Sequence, residues 1–182
     1  MILALALIVL LALAFDYING FHDTANAIAT VVSTGVLSAR KAILMAAVLN
    51  FGGALLGTQV ATTIAKGIAD SQFVVPAVIV AALLAAIAWN LITWWFGIPS
   101  SSSHALVGGL AGAVVAQAGL GALHTTKLKE VATFLVVSPL VGFFIAMVII
   151  ILLLWTCRRM AGHRVNVAFR KLQLVSAGAM AF

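Results

Sequence analysis

The stretch VATFLVVSPLVGFFIAMVIIILLLWTC, residues 131–157, carries no charged side chain. A helix needs roughly 20 apolar residues to cross the hydrocarbon core of a bilayer, and this run exceeds that length. As a helix it is apolar on every side, so the solvent that fits it is lipid or a protein interior. Working outward, residues 71–126, 42–65 and 1–15 are also free of Lys, Arg, Asp and Glu, and the first of these is long enough for at least two crossings. Across the 182 residues, 64% are hydrophobic and 8% charged, where a soluble domain carries about 25% charged residues. The expected fold class is an all-α integral membrane protein with about five membrane-crossing segments.

Segment one covers residues 1–34, is long for one span, and is expected to break near Gly20. Segment two covers 38–65, bounded by Arg40 and Lys41 on one side and Lys66 on the other, with Gly53 and Gly57 spaced for close helix packing. Segment three covers 73–96 and ends in Trp94 and Trp95, an interfacial aromatic pair. Segment four, 99–123, opens on Pro99 and a serine run and continues through Gly108, Gly109 and Gly112, so it reads as a broken span or a re-entrant hairpin. Segment five covers 131–155. The expected division is a membrane domain over 1–157, then a basic amphipathic segment over 158–182 lying in the interface.

The opening lacks the basic n-region of a signal peptide, since no Lys or Arg precedes Arg40, and is expected to be a retained span. The single cysteine, Cys157, excludes an internal disulfide. The net charge of +6 does not point to nucleic acid, because the basic residues sit in or beside the hinges between apolar runs. With five crossings and the N-terminus outside, Arg40, Lys41, Arg158, Arg159, Arg164, Arg170 and Lys171 fall inside, against Lys66, Lys127 and Lys129 outside. If segment four returned to its own side the balance would reverse, so the positive-inside rule favours a full crossing and a cytoplasmic tail.

Two constellations carry chemistry. Asp16, Asn19, Asp23, Asn26 and Thr30 recur every three or four residues, which on a continuous helix sets them along one face. Ionisable residues at membrane depth are costly and usually face a pathway; the plainer alternative is a stripe that joins helices by hydrogen bonds. His22 flanks Asp23 and fits a structural partner better than a direct ligand. The second constellation is Pro99-Ser100-Ser101-Ser102-Ser103-His104 before a Gly-rich apolar stretch. Serine caps helices, and a helix N-terminus gathers free N–H donors and a positive dipole, so this run could hold an anion without a basic side chain. The plainer alternative is a surface loop, against which stands the absence of charge around it. Asn50, Thr58, Gln59, Thr62 and Thr63 in segment two fit helix packing. Carboxylates repel a nearby anion until a cation neutralises them, so the two constellations together imply cation-coupled anion movement.

Gly20-Phe21-His22-Asp23-Thr24-Ala25-Asn26-Ala27 resembles the signature of the inorganic phosphate transporter (Pit) family, with His22 in place of the usual Asn, a variant of bacterial members. The stretch 98–109 resembles the family's second motif, and Val137-Ser138-Pro139-Leu140 and the basic tail fit as well. The resemblance implies a secondary symporter built from two inverted repeats, with phosphate and a cation held between them. Carried over, it implies phosphate binding by Ser101, Ser102, Ser103, His104 and Asn26, and cation coupling by Asp23, Asn19 and Asp16. No cofactor and no enzymatic activity are expected; the coupling ion is H+ or Na+, and the substrate is inorganic phosphate, free or as a metal-phosphate. Ala181-Phe182 resembles Ala14-Phe15 just upstream of the first signature, so the chain is expected to be the first repeat, pairing with a second repeat or partner half in the bacterial inner membrane. The rival class is a non-transporting membrane scaffold or assembly subunit. An intramembrane serine hydrolase is disfavoured, since adjacent Ser and His need not face each other.

Overall fold

A computed structural model describes residues 2–56 and 67–182. The expectations placed on Gly57, Thr58, Gln59, Thr62, Thr63 and Lys66 lie outside the described residues. Six α-helices are described: α1 (Ile2–Ser33), α2 (Ala39–Leu56), α3 (Pro76–Trp95), α4 (Ser102–Ala118), α5 (Thr125–Cys157) and α6 (Gly162–Ala181), with 3-10 turns at Ser71–Phe73 and Leu120–Ala122. Among the described residues there is no strand, only an isolated antiparallel bridge between Ala69 and Leu123. Three helices, α1, α3 and α5, are long and apolar enough to cross a membrane. This is a helical membrane protein.

The break expected near Gly20 is absent: α1 runs unbroken for 32 residues. Glycine weakens a helix interior by roughly 1 kcal/mol, but opening the ladder in an apolar medium strands backbone donors and acceptors at several kcal/mol each. The Thr24 hydroxyl also donates to the Gly20 carbonyl. Pro139 is accommodated inside α5 on the same grounds. Segment four likewise contains one unbroken helix, and its irregular backbone lies at the ends, at extended Ser101 and at Gly119 with φ 80°.

Helix ends follow local chemistry. Pro76 begins α3 at a position where its missing N–H is no loss. At the other end Gly97 takes φ 64°, the left-handed conformation that suits glycine. Its N–H bonds the Trp94 carbonyl at 3.1 Å and the Ile98 N–H bonds the Thr93 carbonyl at 2.8 Å, which closes α3 and turns the chain towards the serine run. Gly35, φ 67°, ends α1 in the same way.

The chain divides into two compact units. The first comprises residues 1–26 and 52–125, and packs Phe15 of α1 with Leu83 and Ala86 of α3, flanked by Ile8, Leu11, Ala12, Ile79, Ala105 and Leu106. The second comprises 27–51 and 126–182, with a core of small residues from the end of α1, α2 and α6, including Val31, Ala42, Ala46, Ala177 and Ala181. There the Arg170 guanidinium donates to the Gly35 carbonyl at 3.0 Å and the Thr34 hydroxyl to Gln173 Oε1 at 2.9 Å. No residue of α5 is buried.

Candidate functional site

The serine run is not a free loop. Ser101 is extended, φ −98° and ψ 120°, and its hydroxyl caps α4 by accepting from the His104 backbone N–H at 3.4 Å. That places Ser102 at the first helical position, buried, where its hydroxyl donates to Asp23 Oδ2 of α1 at 3.0 Å. The other carboxylate oxygen, Oδ1, lies 3.2 Å from Nδ1 of His22. The far ring nitrogen of His22 lies 3.5 Å from the Thr93 hydroxyl of α3, which donates back to the Trp89 and Asn90 carbonyls at 2.9 and 3.1 Å. Trp89 Nε1 in turn donates to Ser100 Oγ at 3.1 Å. Three helices of the first unit thus meet in one polar layer, flanked by the edge-on pair Phe21 and Trp94 with ring centres 5.4 Å apart.

Burial separates the roles within the layer. The His22 side chain is 8% exposed and that of Asp23 is 40% exposed, so the histidine is enclosed while the carboxylate can still meet an ion. Asn90 of α3 is fully buried, and neither its Oδ1 nor its Nδ2 has a partner; Asn19 Oδ1 on α1 is buried and bare as well. Each such atom costs about 1–3 kcal/mol if nothing pairs with it.

The structure therefore brings together Asp23 and Ser102, and sets Asn19 one turn from Asp23 along α1. Ser103 and His104 are exposed on the first turn of α4, and Ser101 and His104 line a cavity of about 420 Å³ with Ala85, Trp89, Ser100 and Gly108. Asp16 and Asn26 are exposed on α1, outside the hydrogen-bonded layer. Asn50 Nδ2 donates to its own helix at Ala46 O, 3.0 Å. Thr93 and Asn90 were not singled out from the sequence, whereas His22 takes the place of a hydrogen-bonding partner beside Asp23. The available signal was the pair Asn90 and Thr93, three apart in an uncharged run and so on one helix face.

Chemically, the layer suits binding. Ser101 meets the backbone of His104, not its ring, so the two side chains form no nucleophile and base pair. Among the described residues no group of three or more His, Cys, Asp or Glu could hold a metal ion. Among the described residues of the first unit there is no Lys or Arg, so what those residues offer an anion is hydroxyls and the N-terminal donors of α4.

A model of the phosphate transporter family matches residues 19–163. The chain is 50% identical over 180 residues to a probable low-affinity inorganic phosphate transporter of Bacillus subtilis (strain 168), covering 97% of this chain and 54% of that protein. A protein of the same description from Streptomyces halstedii is 46% identical over 177 residues, covering 96% and 82%. The low-affinity inorganic phosphate transporter PitA of Escherichia coli (strain K12) is 42% identical over 166 residues, covering 81% and 33%. Among solved structures, one described as the sodium-dependent phosphate transporter superposes with a TM-score of 0.77 at 32% identity, covering 84% of this chain and 39% of that one. These relatives are named as transporters, not enzymes, and the chain spans about half the length of the first of them.

Proposed function

The chain belongs to the phosphate transporter family, and from that premise we propose that it moves inorganic phosphate across a membrane together with a cation, H+ or Na+, as one half of a secondary symporter. The observation that carries this reading is the 3.0 Å bond from the Ser102 hydroxyl to Asp23 Oδ2, which ties the proposed anion donor to the proposed cation acceptor. With Asp23 charged and unneutralised, its negative charge repels phosphate and its oxygen holds the hydroxyl that phosphate needs. A cation at Asp23 cancels the charge and weakens that hold. Ser102 then turns its proton to a phosphate oxygen beside the free N–H groups at the start of α4. Anion affinity thereby depends on cation occupancy, and by linkage the reverse holds too.

In this reading Ser101, Ser102, Ser103, His104 and Asn26 serve phosphate, and Asp23, Asn19 and Asp16 serve the cation. Residues 1–157 form the membrane domain with five crossings in the cell's inner membrane, the N-terminus outside and the basic segment 158–182 inside. Phosphate enters free or as a metal-phosphate. An odd number of crossings lets a second, inverted repeat form the opposite wall of the site. The names of the relatives and of the sodium-dependent neighbour support the substrate class and a coupling ion. Labelled-phosphate binding to the chain paired with a matching second half tests the reading: affinity should rise with Na+ or H+ concentration and fall when Ser102 is replaced by alanine. Binding indifferent to both cations would overturn coupling, and no phosphate binding at all would return the scaffold reading.

A further inference from the structure

The second unit carries its charge unevenly. Its one acidic residue, Glu130, is held by Lys127 at 2.7 Å near the start of α5, about 40 Å by helical rise from the far end of that helix. From Val131 to Phe182 there is no Asp or Glu, while Arg158, Arg159, Arg164, Arg170 and Lys171 follow the apolar run. Arg170 is engaged by the Gly35 carbonyl. Arg158 makes no ion pair among the described residues; its guanidinium carbon stands 5.2 Å from the centre of the Trp155 ring, an attraction to the ring face that takes up none of its N–H donors. The chain turns there. The Met160 N–H bonds the Cys157 carbonyl at 2.9 Å and the Arg164 N–H bonds the Ala161 carbonyl at 2.9 Å, which brings α6 against the end of α5 around a cavity of about 390 Å³. Ile150, Leu153 and Leu154 of α5 and Val165 and Phe169 of α6 line it, together with Arg158.

We infer that this cavity binds one anionic glycerophospholipid of the bilayer, with Arg158 on the headgroup phosphate and an acyl chain along the apolar lining. Trp155 sets the level, since tryptophan gathers where hydrocarbon meets headgroups, and the charge-free run ends two residues later. The cavity therefore spans apolar and charged depth at once. A guanidinium forks two parallel donors onto a phosphate, and Arg159 and Arg164, next in the chain to the lining residues Arg158 and Val165, add positive charge that no acidic residue of the segment offsets. A basic segment attracts anionic lipid diffusely; the cavity fixes one molecule in place. Five apolar side chains offer a free phosphate ion nothing, whereas they match an acyl chain, so the phosphate that fits is the lipid's. All of these residues belong to the second unit, and the inference stands apart from the transport reading.

The full chain in detergent is titrated with phosphatidylglycerol and with phosphatidylcholine, and bound lipid is counted by native mass spectrometry. The wild type should bind one phosphatidylglycerol ahead of phosphatidylcholine, whose choline cation opposes the arginines. Arg158→Gln should weaken that binding by about tenfold, the lower end of what a hydrogen bond to a charged group contributes. Lys171→Gln removes the same charge from α6 away from the cavity lining and should weaken it clearly less. Leu153→Trp, which fills the cavity and keeps every charge, should displace the lipid, and inorganic phosphate should not compete with it. Equal binding of the two lipids, equal losses in Arg158→Gln and Lys171→Gln, or undiminished binding in Leu153→Trp overturns the inference. Competition by inorganic phosphate would assign the cavity to the free anion instead. Loss of the bound lipid when the chain is paired with a matching second half, or a lipid-free dimer of the chain, would show that protein covers the cavity and would overturn it as well.

Discussion

Gly109→Ala should damage the site from a distance. A Cβ at Gly109 would lie 2.6 Å from the Ala82 carbonyl oxygen of α3, a backbone atom that no rotamer change can move. Restoring an ordinary contact of about 3.4 Å requires α4 to retreat by about 0.8 Å. Ser102 stands seven residues earlier on the same helix, about 10 Å away at 1.5 Å per residue, so a rigid retreat stretches its 3.0 Å bond to Asp23 beyond hydrogen-bonding range. Overpacking of this kind costs about 1–3 kcal/mol. Gly108 and Gly112, with nothing within 4 Å of an added Cβ, provide the controls: there alanine should be neutral or stabilising by up to about 1 kcal/mol through helix propensity. Thermal unfolding in detergent, read beside phosphate binding to the paired halves, makes the comparison. If Gly109→Ala proves as stable as Gly108→Ala and binds phosphate equally well, the close α3–α4 approach does not position Ser102.

Replacing Ser102 and Ser103 together with alanine should weaken phosphate binding by about 1.5–3 kcal/mol, the range for a hydrogen bond to a charged group, with the backbone donors of α4 keeping the remainder; unchanged affinity, together with free labelling of cysteines placed along 100–103, would restore the surface-loop reading. Arg170→Ala should loosen the second unit by about 0.5–1.5 kcal/mol, the net worth of a typical hydrogen bond, by removing the donor to the exposed Gly35 carbonyl; hydrogen exchange at residues 34–37 is the readout, and unaltered protection would count against it. Expressed alone, the chain should insert with its basic tail inside and drive no phosphate uptake, because one wall of an inverted pair has nothing to move against. Protease or cysteine accessibility at 164–171 from the cytoplasmic side checks the orientation, and exposure of that segment on the outer side would reverse it.

Much of the fold was legible because lipid imposes one rule on the whole chain: uncharged runs of spanning length become helices, and charges mark their ends. The serine run was legible as a cap for a local reason, since Ser101 reaches an N–H only three residues on. The break expected near Gly20 rested on the length of the run and its polar interruption, yet α1 stays helical for 32 residues, because opening the ladder at membrane depth strands backbone groups that nothing there solvates. Thr93 and Asn90 were missed because their importance lies in burial and in contacts between helices, which are tertiary quantities. A polar residue among apolar ones shows that something must satisfy it, without saying across which gap. The partnership of His22 with Thr93 was hidden for the same reason, since the two are 71 positions apart.

The central claim is that phosphate movement depends on cation occupancy at Asp23. Labelled-phosphate uptake into proteoliposomes holding this chain with a matching second half, under imposed proton and then sodium gradients, tests it most directly. Saturable uptake driven by one gradient, abolished by Asp23→Asn while insertion is preserved, is the predicted result. Gradient-driven uptake undiminished in Asp23→Asn would contradict the account.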